Sequence, residues 1–590
     1  MRLLVVLCLC VAVADVAAAE PADPADQIPV QVTWDQKIPM RDGVKLSGIV
    51  YRDPAQAKPV PAIVSMTPYM ASESALQGRY FAQRGYVFVS IDLRGRGNSD
   101  GAFVPGQVEG RDGADAVEWV ARQPWCDGNV VMWGGSWRGF TQWAITREAP
   151  PHLKAIVPTA AVYPGVDYPH TAGISMSFAL RWLAFVDGRA LNQGLFDEQQ
   201  LWTNAEWQQV TSGRAFTDLD ALTGVRNTVF RTWAAHPRED AFWQAITPRA
   251  EDFARLRIPV LTITGHYDGD QLGALTYYDR HMARGPREAT ARHWLVIGPW
   301  DHGGTRHPSE AMGGLSFGAT AVLSMEKLHK EWYDHVLKGG PLPELLKDRV
   351  ACFVMGQNRW IHASELGQIE GPPLSLALDA TGALAGDVSR SGRLAAAPAD
   401  PASVALTADP RWLPPREDLD AQDPAYLRDQ RDAWADRPSR VVLYSSPFTA
   451  ETVLAGRARL RLRVTADQPD ADVFADLYEV LADGSAVGLA HAQLRLRYRN
   501  GGDAPLVPGR AEVVELPRFT FFTRSIAKGS RLRLVVDVGP QWGLQRNTHT
   551  GGDLATEPLS AARVAHVSIA TGGDSGSTLE LPRPVPGVVK

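Results

Sequence analysis

The chain has 590 residues, of which 45% are hydrophobic and 21% charged, and a formal net charge of −6. This is ordinary globular composition, and the length predicts two or three domains with ample core. The charge balance excludes a basic surface built for nucleic acid or for an anionic membrane.

Residues 1–19 read as a targeting segment. Arg2 precedes an apolar run from Leu3 to Ala14, and Ala17-Ala18-Ala19 offers a small-residue cleavage site before Glu20. The run is too short for a comfortable bilayer span, and no later run is longer. The expectation is an exported protein, periplasmic or secreted, soluble once cut near Ala19. Cys8 and Cys10 leave with the segment. Cys126 and Cys352 remain, which is neither a disulfide framework nor a zinc spacing. One bridge and two buried thiols both fit.

From Val30 to Asp92 the pattern is mostly strand. Val32-Thr-Trp34 and Val44 to Tyr51 flank the turn signal Arg41-Asp42-Gly43. Ala62 to Met66 and Tyr86 to Ile91 are continuous apolar runs, as in a parallel sheet covered on both faces. Ala75 to Gln83 between them predicts a helix. Gly110 to Arg122 predicts another, with Ala114, Val117, Val120 and Ala121 on one face and Asp112, Asp115 and Glu118 towards the other.

Val130 to Trp133 then run into Gly134-Gly135-Ser136, and an amphipathic segment follows from Trp137 to about Glu148. Strand, glycine turn and helix are the setting of a nucleophile elbow, although the second glycine, Gly139, comes one residue later than in G-x-S-x-G. Alone, the motif is equally a strand-to-helix turn with an N-capping serine.

Ala155 to Pro158 predicts the next strand. From 162 to 246 the rhythm breaks into helical patches carrying Trp182, Trp202, Trp207, Trp233 and Trp243. We expect a helical cap over the strand ends, its tryptophans serving packing or an aromatic wall for an acyl group. The sheet resumes at Ile258 to Thr264, ending in Gly265-His-Tyr-Asp-Gly-Asp270. A further strand, Trp294 to Ile297, ends in Gly298-Pro-Trp-Asp-His302. Ser136, Asp268 and His302 thus end three strands in the chain order of α/β-hydrolases. The carboxyl ends of such strands are where ligands gather. The candidate catalytic set is Ser136 as nucleophile, His302 as base and Asp268 as its orienting acid.

Thr320 to Leu337 predicts a helix closed by Gly339-Gly340, and Val350 to Met355 a strand. Later, Arg457 to Val464 and Gln493 to Arg499 alternate with period two, and Leu532, Leu534 and Val536 continue the pattern. These predict half-buried antiparallel strands whose arginines line a wet face, in a sandwich or jelly roll.

Several collinear stretches carry a resemblance. They are Pro39-Met-Arg-Asp-Gly-Val44, Pro68-Tyr69, Asp92 to Ser99, Trp125 to Val130, Gly134-Gly-Ser-Trp-Arg-Gly139, Gly265 to Gly269, Gly298 to His302 and Arg546 to Gly552. With them the chain resembles the cocaine esterase and Xaa-Pro dipeptidyl peptidase-like serine hydrolases, which include α-amino-acid ester hydrolases. The resemblance accounts for the late glycine. It implies an α/β-hydrolase fold with a helical cap insertion and an all-β, galactose-binding-like jelly-roll C-terminal domain. It implies oxyanion donors at Tyr69 (hydroxyl) and Trp137 (backbone N–H). In the α-amino-acid ester hydrolases a carboxylate cluster binds the substrate ammonium, and two of its members follow the triad aspartate by two and three residues. Here those positions hold Asp270 and Gln271, and Asp167 is a further candidate.

The expected organisation is a signal peptide at 1–19, a catalytic domain at 28–161 and 247–358, a cap at 162–246, and a linker plus jelly roll at 359–590. The expected function is an exported serine hydrolase cleaving a small ester, amide or short peptide through an acyl-enzyme, without metal or cofactor. The alternatives are an α-amino-acid ester hydrolase or β-lactam acylase, a dipeptidyl peptidase, or a non-catalytic glycan-binding protein that uses the jelly roll. A homo-oligomer is compatible with the sequence.

Overall fold

The computed structural model describes residues 23–420, 424–516, 519–573 and 576–588. The predicted signal peptide, 1–19, lies outside the described residues. Among the described residues, no helix is long and apolar enough to cross a membrane.

The N-terminal part is built on a ten-stranded sheet: β1 (Gln31–Pro39), β2 (Lys45–Arg52), β3 (Val60–Thr67), β4 (Val87–Asp92), β5 (Cys126–Gly135), β6 (Leu153–Thr159), β7 (Val260–Tyr267), β8 (His293–Asp301), β9 (Val350–Val354) and β10 (Arg359–Ala363). Their spatial order is β1-β2-β4-β3-β5-β6-β7-β8-β9-β10. From β4 to β9 every neighbour pair is parallel, while β1, β2 and β10 join antiparallel at the two edges. Strands buried on both faces must be apolar throughout, and β4 is buried along its whole length. The flanking helices include α1 (Ala75–Ala82), α2 (Glu109–Ala121) and α3 (Trp137–Thr146). Two more follow later in the chain, Gln271–Arg284 and Met325–Lys338.

Between Thr159 and Val260 the chain leaves the sheet for short helices, among them α4 (Phe178–Phe185), α5 (Gln199–Thr211) and α6 (Thr228–Ala234). Trp182, Trp202, Trp233 and Trp243 are buried there. The chain then returns through β7 to the helix Gln271–Arg284, here α7, and later to Met325–Lys338, here α8. The latter begins five residues after the predicted start, because Ser324 caps it by accepting from the Lys327 N–H (3.4 Å), and it ends as predicted at Gly339 in the left-handed region.

Beyond β10 the chain is rich in β strands. Eleven of them, running from Leu374–Asp379 to Thr578–Leu581, are joined in one hydrogen-bonded network. Leu460, Leu462 and Val464 of Arg459–Ala466 point inward beside Leu532, Leu534 and Val536. Arg459 is exposed and Arg461 and Arg463 are half-buried on the opposite face, as expected, but Arg457, ahead of the strand, is instead held by Glu370 (2.8 and 2.7 Å) and by Asp279. The second arginine stripe corrects the sequence reading. Its strand ends at Arg495, and the arginines are not on a wet face. Arg495 is buried and bidentate to Asp472 (2.9 and 2.8 Å), Arg497 is held by Asp503 (2.8 and 3.0 Å), and Arg499 pairs with Glu512 (3.3 Å). Alternation records only that a polar group lies between apolar ones, and here the polar partner is a carboxylate instead of water. Cys126 and Cys352 are both buried free thiols.

Candidate active site

The elbow is built by packing. Gly134 has φ +146°, and a Cβ there would stand 2.6 Å from the Cβ of Arg138. Ser136 has φ 63° and ψ −129°. This conformation is rare for a non-glycine residue and costs on the order of 1–3 kcal/mol unless its surroundings hold it. They do. The Ser136 N–H donates to the carbonyls of Thr159 and Ala160, both at 3.0 Å. Gln142 fastens α3 to the sheet. Its amide donates to Gly134 O (2.9 Å) and Val157 O (3.0 Å), and its oxygen accepts from the Val157 N–H (2.9 Å). Sequence reasoning missed Gln142, whose only signal is an amide on an otherwise apolar helix face. The late glycine also has a cause, since a Cβ at Gly139 would lie 2.8 Å from that of Ala161 and 3.1 Å from Thr159 O. Any side chain there would push α3 off β6.

β7 and β8 deliver the acid and the histidine. The Nδ1–H of His302 faces Asp268 Oδ1 at 2.8 Å. The same carboxylate accepts from the Thr264 hydroxyl (2.8 Å) and the Asp270 N–H (3.0 Å) and is buried. With Nδ1 protonated by this contact, Nε2 carries the lone pair. Burial works against a charged His302, but the Asp270 charge and the hydrogen bond and charge of Asp268 outweigh it and raise its pKa above the ordinary histidine value.

Tyr69 leaves the end of β3 with its hydroxyl 3.4 Å from Ser136 Oγ. The indole N–H of Trp182, on α4, donates into the Tyr69 oxygen (3.1 Å). That leaves the phenolic proton to be given elsewhere. Burial raises the Tyr69 pKa, which keeps the group a donor. Trp137 begins α3, so its N–H has no intrahelical acceptor. Its indole N–H is held by buried Glu109 (3.2 Å), which also accepts from the N–H groups of Gly106 and Val108. Arg96, fully buried, donates to Pro68 O (2.9 Å), to Val186 O (2.6 Å) and to Gly188 O. It ties the Tyr69 loop to the end of α4. Sequence reading gave Trp182 a packing or wall role and Arg96 none of its own.

Ser136, Tyr69, Trp137, His302, Asp270 and Asp167 all face one cavity of about 820 Å³, a size suited to a small organic substrate. Asp268 stands behind His302. Asp270 lies 3.5 Å from His302 Nδ1, and burial pushes its pKa up to about 6. Asp167 is raised further by burial and by the Asp270 charge, yet both its oxygens already accept backbone N–H groups, from Tyr163 (2.8 Å) and Gly273 (2.7 Å). Gln271 faces away and bonds both backbone groups of Phe521, accepting at 2.6 Å and donating at 2.8 Å. Of the five cap tryptophans only Trp182 reaches the cavity. Donor atoms of Asp268, Asp270 and His302 lie within 4.8 Å of one another. Within this group His302 Nδ1 is 2.8 Å from Asp268 and 3.5 Å from Asp270.

Two family models match this chain. Residues 42–304 match the X-Pro dipeptidyl-peptidase (S15 family), and residues 348–579 match the X-Pro dipeptidyl-peptidase C-terminal non-catalytic domain. Cocaine esterase of Rhodococcus sp. (strain MB1 Bresler) is 29% identical over 578 residues, covering 92% of this chain and 97% of that protein. The chain belongs to the cocaine esterase and X-Pro dipeptidyl-peptidase family of serine hydrolases.

The first matched span of this serine hydrolase contains Tyr69, Ser136, Asp268 and His302, and the second holds the β-rich, non-catalytic part. An aminopeptidase from a marine sediment archaeon, Thaumarchaeota archaeon, superposes with a TM-score of 0.79 at 22% identity, covering 96% of this chain and 99% of that one. A selenomethionine-labelled α-amino acid ester hydrolase gives 0.78 at 21%, covering 97% and 99%. At such identities the likeness concerns the fold.

Proposed function

We propose that this serine hydrolase cleaves small esters or amides through an acyl-enzyme, with Ser136 as nucleophile, His302 as general base and acid, and Asp268 as the group that orients His302. The observation that carries this is the meeting, in one cavity, of a strained serine, a phenol 3.4 Å from its oxygen and a histidine held at 2.8 Å by a buried carboxylate.

Ser136 Oγ attacks the substrate carbonyl while His302 Nε2 takes its proton. The carbonyl oxygen becomes an oxyanion, met by the Tyr69 hydroxyl and the Trp137 N–H at the head of α3. Collapse breaks the carbonyl–heteroatom bond, and His302 gives its proton to the departing alcohol or amine. Water, deprotonated by His302, then attacks the acyl-enzyme and releases the carboxylic acid and Ser136. Preorganised donors of this kind act strongly in a dry site. In the same reading, 162–246 is the cap, the C-terminal domain is a jelly roll, and the protein is exported with cleavage near Ala19.

A fluorophosphonate probe tests the nucleophile. The expected result is one covalent adduct, mapped to Ser136 and lost in Ser136→Ala and in His302→Ala. A folded protein that takes no adduct would refute the assignment.

A second reading, an amino-acid ester hydrolase, β-lactam acylase or dipeptidyl peptidase, is supported by Asp270 and Asp167 in the cavity. It is the weaker of the two, because Asp167 is occupied by backbone, Asp270 is drawn to His302, and Gln271 points into the domain interface. Comparing phenylglycine methyl ester with its N-acetyl derivative separates the readings. A loss of turnover on amino blocking would favour the second.

A further inference from the structure

The cavity has two unlike sides. On the cap side, Tyr69, Phe185, Phe196 and Phe178 follow one another with ring centroids 6.1, 4.7 and 6.0 Å apart. This wall suits an apolar acyl group. On the other side stand two arginines that the proposed chemistry does not use. Arg138 follows Ser136 by two residues in α3. Arg306 follows His302 by four, in the turn where the Thr305 hydroxyl donates to His302 O (2.8 Å).

Arg138 donates to the Ser74 hydroxyl (3.2 Å), and its guanidinium lies 5.1 Å from the Trp133 ring and 5.9 Å from the Tyr69 ring. Its Nε is buried and has no partner. Arg306 lies along the backbone of the elbow, where its Nη1 would stand 3.1 Å from a Cβ at Gly135. Among the described residues no carboxylate is within ion-pair distance of either guanidinium. Glu73 and Glu326 also face the cavity, but Glu326 is bonded to the Gln77 amide (3.0 Å) and neither pairs with an arginine. Burial first, and then the nearby Arg306 charge, lower the Arg138 pKa to about 10, so Arg138 remains a cation at neutral pH.

Asp270, which the Arg306 charge reaches, is itself drawn to His302. Two neighbouring cations in a half-closed cavity, neither of them in a direct ion pair with a carboxylate, form a receptor for a substrate anion. A guanidinium fork matches the planar, bidentate geometry of a carboxylate. Arg306 shares its turn with His302, the group that protonates the departing atom. We infer that Arg138 and Arg306 bind a carboxylate on the leaving group, so that the preferred substrates are apolar acyl esters or amides of hydroxy or amino carboxylic acids. This rests on the serine hydrolase mechanism proposed above and names the substrate class for that site.

The test compares the phenylacetyl ester of glycolate with that of glycolamide, which has nearly the same shape and no charge. Phenylacetate release gives kcat/KM for each. The wild type is expected to favour the glycolate ester by about 10- to 100-fold, the range of a charge-assisted hydrogen-bonded pair. That ratio should fall towards one in Arg306→Gln and in Arg138→Gln, and Arg306→Lys should keep part of it. Because the readout is a ratio within each protein, loss of one variant to misfolding leaves the other decisive. Equal rates for the two esters in an enzyme that takes the fluorophosphonate adduct would overturn the carboxylate site alone. A wild-type ratio that persists in both glutamine variants would do the same. A preference for monoethyl phenylmalonate over ethyl phenylacetate, with none within the glycolate pair, would overturn the leaving-group assignment. No turnover of any ester, together with no adduct, would refute the hydrolase mechanism itself.

Discussion

Tyr69→Phe removes one hydroxyl and keeps the ring that stacks on Phe185. If that hydroxyl meets the oxyanion, kcat should fall by about 10²- to 10³-fold with KM little changed. Steady-state hydrolysis of a p-nitrophenyl ester measures this. His302 gives a second prediction. It acts as a base only when neutral, and its pKa is raised, so the acid limb of kcat/KM should lie above the ordinary histidine value near 6.5. Asp270→Asn removes the largest of the raising influences. The limb should then move to lower pH, and an unmoved limb would contradict the coupling. At this scale the sequence was legible where a residue's place follows from a strand end. Ser136, Asp268 and His302 are of that kind. Tyr69 came through resemblance. Trp182 and Gln142 were not legible, because an indole that polarises a phenol and an amide that ties a helix to a strand depend on neighbours over a hundred residues away or across a turn.

Among the elements, α3 does the most to place the chemistry, and its spacing from β6 is set by a missing side chain. Gly139→Ala should destabilise the protein by about 1–3 kcal/mol, the cost of overpacking a tight interface. It should also slow acylation, since the elbow moves with the helix. Urea unfolding followed by tryptophan fluorescence, with a lowered midpoint and unchanged slope, checks the first part. The parallel strands and the helices from α1 to α3 could be read from apolar runs and helical periodicity. The start of α8 could not, because Thr320 to Leu323 are compatible with helix and the Ser324 cap overrules them. The arginines after Gln493 defeated pattern reading for a different reason, since period two is the same whether the polar side meets water or a buried acid.

In the whole molecule, the β-rich domain is fastened to the catalytic part at several points. Gln271 takes both backbone groups of Phe521, the Ser177 N–H donates to Gly543 O (2.8 Å), and the Gln545 N–H donates to Ser175 O (2.7 Å). Gln271→Leu would leave a buried N–H and carbonyl of Phe521 without partners and should cost roughly 2–5 kcal/mol. Thermal melts read by tryptophan fluorescence would show this as a lowered midpoint, and an unshifted melt would mean that the amide is dispensable. The sequence predicted two or three domains but not this seam, which joins residues 250 or more positions apart. Arg96 extends the same logic to motion. Its one guanidinium holds the loop that carries Tyr69 and the chain at Val186 and Gly188. Any outward swing of α4 must therefore break that grip or drag the phenol with it. A bulky substrate that widens the mouth would blunt the enzyme as it entered, and the entrance would act as a gauge of molecular size without any separate gate.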